Sequence, residues 1–141
     1  MNLKIISPEK QIFEGEIDEL IAPTVTGEVT ILPHHADILT QLSEGEMTVK
    51  SKGKETHIAV TGGFLQISNN EISVLADYAI KSEEINSQKA LEAQKRAEEI
   101  LKRKKEGVSE RDFAAAQADF RRAAAQLRVA NKRRHSTPRP Q

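Results

Sequence analysis

The stretch TGGFLQISNNEISVLADYAIKSEEINSQKALEAQKRAEEILKRKK, residues 61 to 105, holds two structural grammars and the change between them. In its first part, Phe64-Leu65-Gln66-Ile67 and Ile72-Ser73-Val74-Leu75 are short apolar runs separated by Asn69-Asn70, a turn signal, and they read as paired strands. Past residue 82 the pattern becomes helical. From Ser87 to Lys105 there is no proline, long charged residues dominate, and Ala90, Ala93, Ala97, Ile100 and Leu101 recur three or four apart. The boundary near residue 82 therefore divides the chain into a β module and a helical one.

Working back toward the N-terminus, the same strand grammar repeats. Leu3 and Ile5, then Ile12 and Phe13, are split by the Ser7-Pro8 turn, and Ile17, Leu20 and Ile21 lead up to Pro23. Val29 to Leu32, Met47 to Val49 and His57 to Val60 follow, with turn signals at Thr26-Gly27, Glu44-Gly45, Lys52-Gly53 and Gly62-Gly63. Turns spaced about 8 to 12 residues apart predict an antiparallel sandwich or barrel. Gly62-Gly63 lacks the strand-then-helix setting of a nucleotide loop and reads as a tight turn or bulge.

Working forward, a second helix is predicted from Glu110 to Arg134. Phe113, Ala116, Phe120, Ala123, Leu127 and Ala130 form one stripe on it. The connection Glu106-Gly107-Val108-Ser109 offers Gly107 to end the first helix, and Ser109 with Asp112 resembles a capping box for the second. So short a link predicts an antiparallel hairpin. Six alanine methyls would contribute on the order of 5 kcal/mol before ordering costs, so the hairpin is expected to close only marginally. Helices of roughly 28 and 37 Å that can part make a plausible switch. The end, residues 135 to 141, reads as a disordered tail. The expected division is thus 1–82, 83–134 and 135–141.

The 141 residues carry no net charge, but the total hides an asymmetry. Residues 1–82 hold 6 Lys, no Arg and 12 acids, whereas residues 83–141 hold 15 basic residues and 9 acids. Two modules with different partners are implied. With no cysteine, disulfides and thiolate metal sites are excluded. Neither a signal-peptide pattern nor a run of about 20 apolar residues is seen, so a soluble chain is expected.

His34, His35 and Asp37 invite a metal or catalytic reading. Consecutive residues in extended chain point to opposite faces, however, and only His57 is near enough in sequence to assist. A loop after Pro33 whose polar groups face a partner is the simpler expectation, and a catalytic centre within this chain is not expected. The sequence also contains no Walker A pattern, nucleophile elbow or HExxH. Arg121, Arg122, Arg128, Lys132, Arg133 and Arg134 suit an acidic protein surface better than nucleic acid, because Phe113 and Phe120 belong to the apolar stripe and cannot stack on bases.

At this point a family resemblance enters. SPE at 7 to 9 with IFEGE at 12 to 16, APT at 22 to 24 with TGEVTILPHHADILTQL at 26 to 42, GE at 45 to 46, TGGFLQI at 61 to 67, LADYAI at 75 to 80 and AAAQLRVA at 123 to 130 resemble, in order, the ε subunits of F-type ATP synthases. The resemblance implies a sandwich of about ten strands followed by a two-helix hairpin. It implies a non-catalytic subunit of the central stalk that binds γ and rests on the c-ring, with helices that open toward the α and β subunits of the catalytic head and inhibit ATP hydrolysis. Membrane association is then indirect, on the cytoplasmic face of a bacterial plasma membrane. Position by position, Glu28 and His35 correspond to the loop facing the c-ring, with Asp37 and His34 beside it, and Arg121, Arg122 and Arg128 correspond to contacts with the head. Some members bind regulatory ATP through an Ile-Asp-x-x-Arg-Ala motif, which here reads Ile85-Asn86-Ser87-Gln88-Lys89-Ala90. Arg96 and Arg122 match arginines of that site, whereas Gln126 stands where another would be. No cofactor is required, and ATP enters only as a weak regulatory ligand.

Two other readings stay open at this level: a ligand-binding sandwich with a helical oligomerisation arm, and an enzyme using His34, His35 and Asp37.

Overall fold

The computed structural model describes residues 1–103 and 107–136. Two compact units divide the chain, Met1–Glu84 and Ile85–Gln141.

In the first unit, β1 (Asn2–Ile6) and β2 (Gln11–Glu16) form a hairpin whose turn is tied by Ser7, which donates from its N–H and hydroxyl to the Lys10 carbonyl. The strands β3 (Glu19–Thr24), β4 (Gly27–Ile31), β5 (Ile38–Leu42), β6 (Gly45–Ser51), β7 (Lys54–Val60), β8 (Gly63–Ser68), β9 (Glu71–Ala76) and β10 (Ala79–Lys81) follow. Hydrogen bonding runs in one path, β10-β7-β6-β3-β5-β8-β9-β1-β2, with β4 paired to β3. Only β1 and β9 are parallel partners among the pairs in this path. The path folds over at β3, which pairs with β6 through residues 19 to 21 and with β5 at Thr24. That handover makes two layers, β4-β3-β6-β7-β10 and β5-β8-β9-β1-β2. Between them lie Leu3, Ile5, Leu20, Ile31, Leu42, Met47, Val49, Ile58, Leu65, Ile72 and Val74, all but inaccessible to water.

Pro23 lies inside β3 rather than beyond its end. A proline is tolerated where no ladder donor is needed, and it occupies the gap between the β6 and β5 pairings, its carbonyl accepting from the Ser43 N–H. Two strands, β5 and β10, were not among the apolar runs read from the residues. Alternation is broken in β5 by an outward Leu39, and β10 is too short to show a pattern. Asn69 and Asn70, and likewise Lys52 and Gly53, have left-handed backbone angles. Consecutive residues of that kind build the two-residue turns that match strand twist.

A 3₁₀ turn, Ser82–Glu84, ends the first unit. In the second, α1 spans Ser87–Lys102 and α2 spans Glu110–Ser136, packed side by side. Asn86 caps α1, its side-chain oxygen accepting from the Lys89 N–H at 3.0 Å. Ser109 caps α2 in the same way through the Asp112 N–H at 3.1 Å. The first helix stops short of the expected Lys105: the Arg103 N–H turns to the Ile100 carbonyl and tightens the last turn. Arg103 is therefore the C-cap, and Gly107, with φ of 92°, bends the connection instead of closing the helix. Lys104, Lys105 and Glu106 lie outside the described residues. At the far end α2 takes in His135 and Ser136, assigned to the tail from sequence. Residues 137–141 lie outside the described residues.

Ala90 and Ala97 on α1 and Ala116 and Ala123 on α2 are buried, while Phe113, Phe120 and Leu127 are half-buried. Ala125 and Val129, off the predicted stripe, are buried as well. Alanine contributes about 0.8 kcal/mol per methyl, so these small side chains give an interface far weaker than the sandwich core.

Candidate functional site

The His34-His35 loop is a structural latch. His34 has φ of 66° and donates its backbone N–H to the Asn70 Oδ1 at 2.8 Å, and Asp37 Oδ1 accepts the Asn69 N–H at 3.1 Å. Both bonds fasten the loop to the β8–β9 turn. The His35 ring meets its own neighbour, Nδ1 lying 2.8 Å from the Ala36 carbonyl. The His34 backbone, the His35 ring and the Asp37 carboxylate thus serve different anchors. Among the described residues no group of three or more His, Cys, Asp or Glu is arranged to hold a metal ion.

Glu28 and His35, matched to one loop by sequence, are separated in the fold. Glu28 is the second residue of β4, paired with Pro23, and His35 lies in the loop beyond the strand's other end. The run from Glu28 to Leu32 spans roughly 13 Å at the usual strand rise. Beside Glu28 the β3–β4 turn presents Val25, 58% exposed.

On the outward face of β3, β6 and β7 lies a polar cluster. His57 Nδ1 is 3.4 Å from Glu46 Oε1 and 3.3 Å from the Thr48 hydroxyl, with Nε2 3.3 Å from Glu55 Oε2. Lys50 bridges Glu19 at 3.2 Å and Glu55 at 3.7 Å. The hydrogen bond and charge of Glu19 raise the Lys50 ammonium above its ordinary range. Cross-strand register explains the cluster, since Thr48 faces His57 and Lys50 faces both Glu19 and Glu55.

The other layer is different. Strand alternation turns Leu39, Phe64 and Leu75 outward, and they are 70%, 54% and 54% exposed. Phe64 and Leu75 are direct cross-strand partners, and Leu75 in turn faces half-buried Ile6 on β1. Leu39, paired with Gln66, sits diagonally from Phe64. An apolar row crossing β5, β8, β9 and β1 on a water-facing sheet marks an interaction surface. Sequence reasoning missed these residues, although a signal was present. Phe64-Leu65 and Val74-Leu75 place apolar residues at adjacent positions, which a one-sided sheet does not require.

On the helices, Lys89 and Arg96 are exposed and seven residues apart, hence on one face of α1, while Ala90 is buried and Arg122 half-buried on α2. Asn86 is committed to its cap. Arg121, Arg128 and Lys132 are exposed at intervals of seven and four along α2. Arg133 is half-buried, and the Arg134 side chain lies outside the described set.

Both units match family models. Residues 1–82 match the β-sandwich domain of the ATP synthase Delta/Epsilon chain, and residues 83–131 match its long α-helix domain. The chain belongs to the ATP synthase Delta/Epsilon family. The ATP synthase epsilon chain of Dehalococcoides mccartyi is 43% identical over 98 residues, covering 70% of each chain. That of Desulforamulus reducens is 43% identical over 99 residues, covering 70% of this chain and 75% of the relative. A chain of the Euglena gracilis mitochondrial ATP synthase, solved as an OSCP/F1/c-ring assembly, superposes with a TM-score of 0.69 at 21% identity over 92% of this chain and 79% of that one. One from the Tetrahymena thermophila mitochondrial enzyme, solved as a central stalk and c-ring, gives 0.56 at 15% identity over 94% and 95%. These two likenesses show the fold. As an ATP synthase epsilon chain the molecule is a structural and regulatory subunit, not itself catalytic, which accords with histidines that serve as latch and ladder.

Proposed function

We propose that this epsilon chain is a rotor subunit of the central stalk: its sandwich joins γ to the c-ring, and its C-terminal helices restrain ATP hydrolysis. The row Leu39, Phe64 and Leu75 carries this reading, because a solvent-facing apolar sheet in a family of complex subunits calls for a protein partner. We assign that row to γ. The c-ring is assigned to the end of the sandwich bearing Val25 and Glu28; His35, at the far end of β4, then falls to a different contact. The two solved assemblies that share this fold, an OSCP/F1/c-ring complex and a central stalk with c-ring, support such partners. Among the described residues no helix is long and apolar enough to cross a membrane. In this proposal the chain is held through the ring, on the cytoplasmic face of a bacterial plasma membrane.

The inhibitory role rests on the two-unit division and on a helix interface made largely of alanine. When the hairpin opens, Arg121 and Arg128 offer guanidinium forks to carboxylates of the catalytic head, with Arg122 released from its half-buried position. Removing residues 85–141 is expected to leave γ capture intact and to raise ATP hydrolysis by the assembled complex severalfold. Unchanged hydrolysis in a complex that retains the shortened chain removes the inhibitory role and leaves the coupling role standing.

Regulatory ATP is expected to bind weakly. Asn86 lacks the charge of aspartate, Lys89 cannot offer an arginine fork, and Gln126 carries no charge. Combining Asn86→Asp, Lys89→Arg and Gln126→Arg should raise ATP affinity at least tenfold in calorimetric titration of the full chain. Equal affinity in parent and triple variant counts against a nucleotide site on this hairpin.

A further inference from the structure

We infer that Thr24 is the positioning residue for the β3–β4 turn assigned above to the c-ring, its buried hydroxyl and its backbone fixing that turn against the strand that leads to the γ row. The inference rests on that assignment and adds the joint that holds the two partner surfaces to each other.

Among the described residues Thr24 is the only polar or charged one that is buried, at 4% exposure. Strand alternation turns it inward after Leu20 and Ala22. A buried hydroxyl is costly unless it is bonded, and here its whole capacity is used. Its single proton goes to the Gly27 carbonyl, which leaves two lone pairs to accept, one from the Thr26 N–H at 3.3 Å and one from the Thr26 hydroxyl at 3.2 Å. The hydroxyl thus closes the turn Val25-Thr26 from inside, as turn-forming hydroxyls do.

The Thr24 backbone is held from both edges. On one edge it pairs with Gly27 of β4. On the other it is the only β3 residue in register with β5, opposite Leu42. Two hydrogen bonds of 3.1 Å flank that pair, from the Val25 N–H to the Gln41 carbonyl and from the Ser43 N–H to the Pro23 carbonyl. Pro23 stiffens the approach, since its ring locks φ and lies against Gly45, where an added Cβ would come within 3.2 Å of it.

These bonds lead to the γ row. Gln41, which receives the Val25 N–H, is the cross-strand partner of Phe64, and Phe64 is the partner of Leu75. A single strand, β5, therefore separates the turn from the row. The other link from this hairpin to the second layer is the loop latched to Asn69 and Asn70, beyond the opposite end of β4. Without the Thr24 hydroxyl the turn keeps its strand pairing but loses the bonds that order Val25 and Thr26. The ring then meets a surface that is less preorganised, while the γ row is unchanged.

The test measures the gain in c-ring affinity that the full chain confers on γ, by titrating purified c-ring in detergent with γ alone and with γ carrying each variant. Thr24→Val keeps the branched shape and removes the hydroxyl. It is expected to bind γ within about twofold of the parent and to forfeit about fivefold of the gain, the worth of a hydrogen bond or so. Thr24→Ser keeps the hydroxyl and is expected to restore the gain. An undiminished gain for Thr24→Val overturns the inference. So does a parallel loss of γ capture, which makes Thr24 a support of the whole sandwich, and so does a Thr24→Ser variant as weak as Thr24→Val. If Val25→Asp combined with Glu28→Lys leaves the gain intact, the turn is not the ring contact, and the assignment fails together with the inference that rests on it.

Discussion

Replacing Phe64 and Leu75 together with aspartate is expected to weaken capture of γ at least 100-fold while leaving the sandwich folded. The two side chains are cross-strand partners on the exposed sheet, and each keeps about half its surface in water when the chain is alone. Covering such side chains at an interface contributes about 1.5 to 3 kcal/mol apiece when burial is complete. Aspartate forfeits that contribution and adds the cost of desolvating a carboxylate against an apolar partner. The loss required for 100-fold is about 2.7 kcal/mol, so partial burial already suffices. In the free chain the new carboxylates face solvent, and thermal unfolding should move by only a few degrees. Val25→Asp, on the β3–β4 turn, serves as the comparison and should leave γ capture near its original strength. Immobilised γ with graded concentrations of each variant provides the measurement. Retention of γ by the double variant would remove this row from the interface.

Gly63→Ala should cause the largest loss of stability of any single methyl added to the sandwich. Gly63 has φ of 130°, where side chains are strained, and a Cβ there would lie 2.1 Å from the Leu75 carbonyl oxygen and 2.8 Å from the Ala76 Cα. Both obstacles are backbone of the paired strand β9, and the opposite edge is held by Leu42 on β5. The strand has no room to retreat without breaking a ladder. Strain of this kind costs roughly 3 kcal/mol or more, which for a unit of this size corresponds to a fall in melting temperature of about 12 °C or more. Gly53→Asn is the control: Gly53 sits in an open turn with nothing within 4 Å, and asparagine tolerates its φ of 79°. A melting temperature for Gly63→Ala within a few degrees of the parent would show that β8 and β9 can separate locally.

Much of this architecture was legible because local rules and tertiary structure agree. The period-two runs around Asn69-Asn70 gave two strands because their inward residues, Leu65, Ile67, Ile72 and Val74, are buried in the core. The caps at Asn86 and Ser109 were legible because a cap is made by residues three apart, with no distant partner. Gly62-Gly63 read as a turn or bulge, but that Gly63 is required by the Leu75 carbonyl depends on a strand that pairs more than ten residues later. The grouping of Glu28 with His35 came from the family resemblance and not from the residues: the run Val29 to Leu32, read as a strand from sequence, already lies between them, and in the fold Glu28 joins that strand as part of β4.

By itself, then, the sequence determined the two modules, their opposite charges, the helix caps and the family, because periodicity, composition and ordered motifs are properties of neighbours along the chain. Only the tertiary structure decided that the histidine loop is latched to the β8–β9 turn, that Pro23 sits where β3 changes partners, and that Leu39, Phe64 and Leu75 share one exposed face. Each of these depends on register between strands far apart in sequence, and register is set by burying the whole core at once.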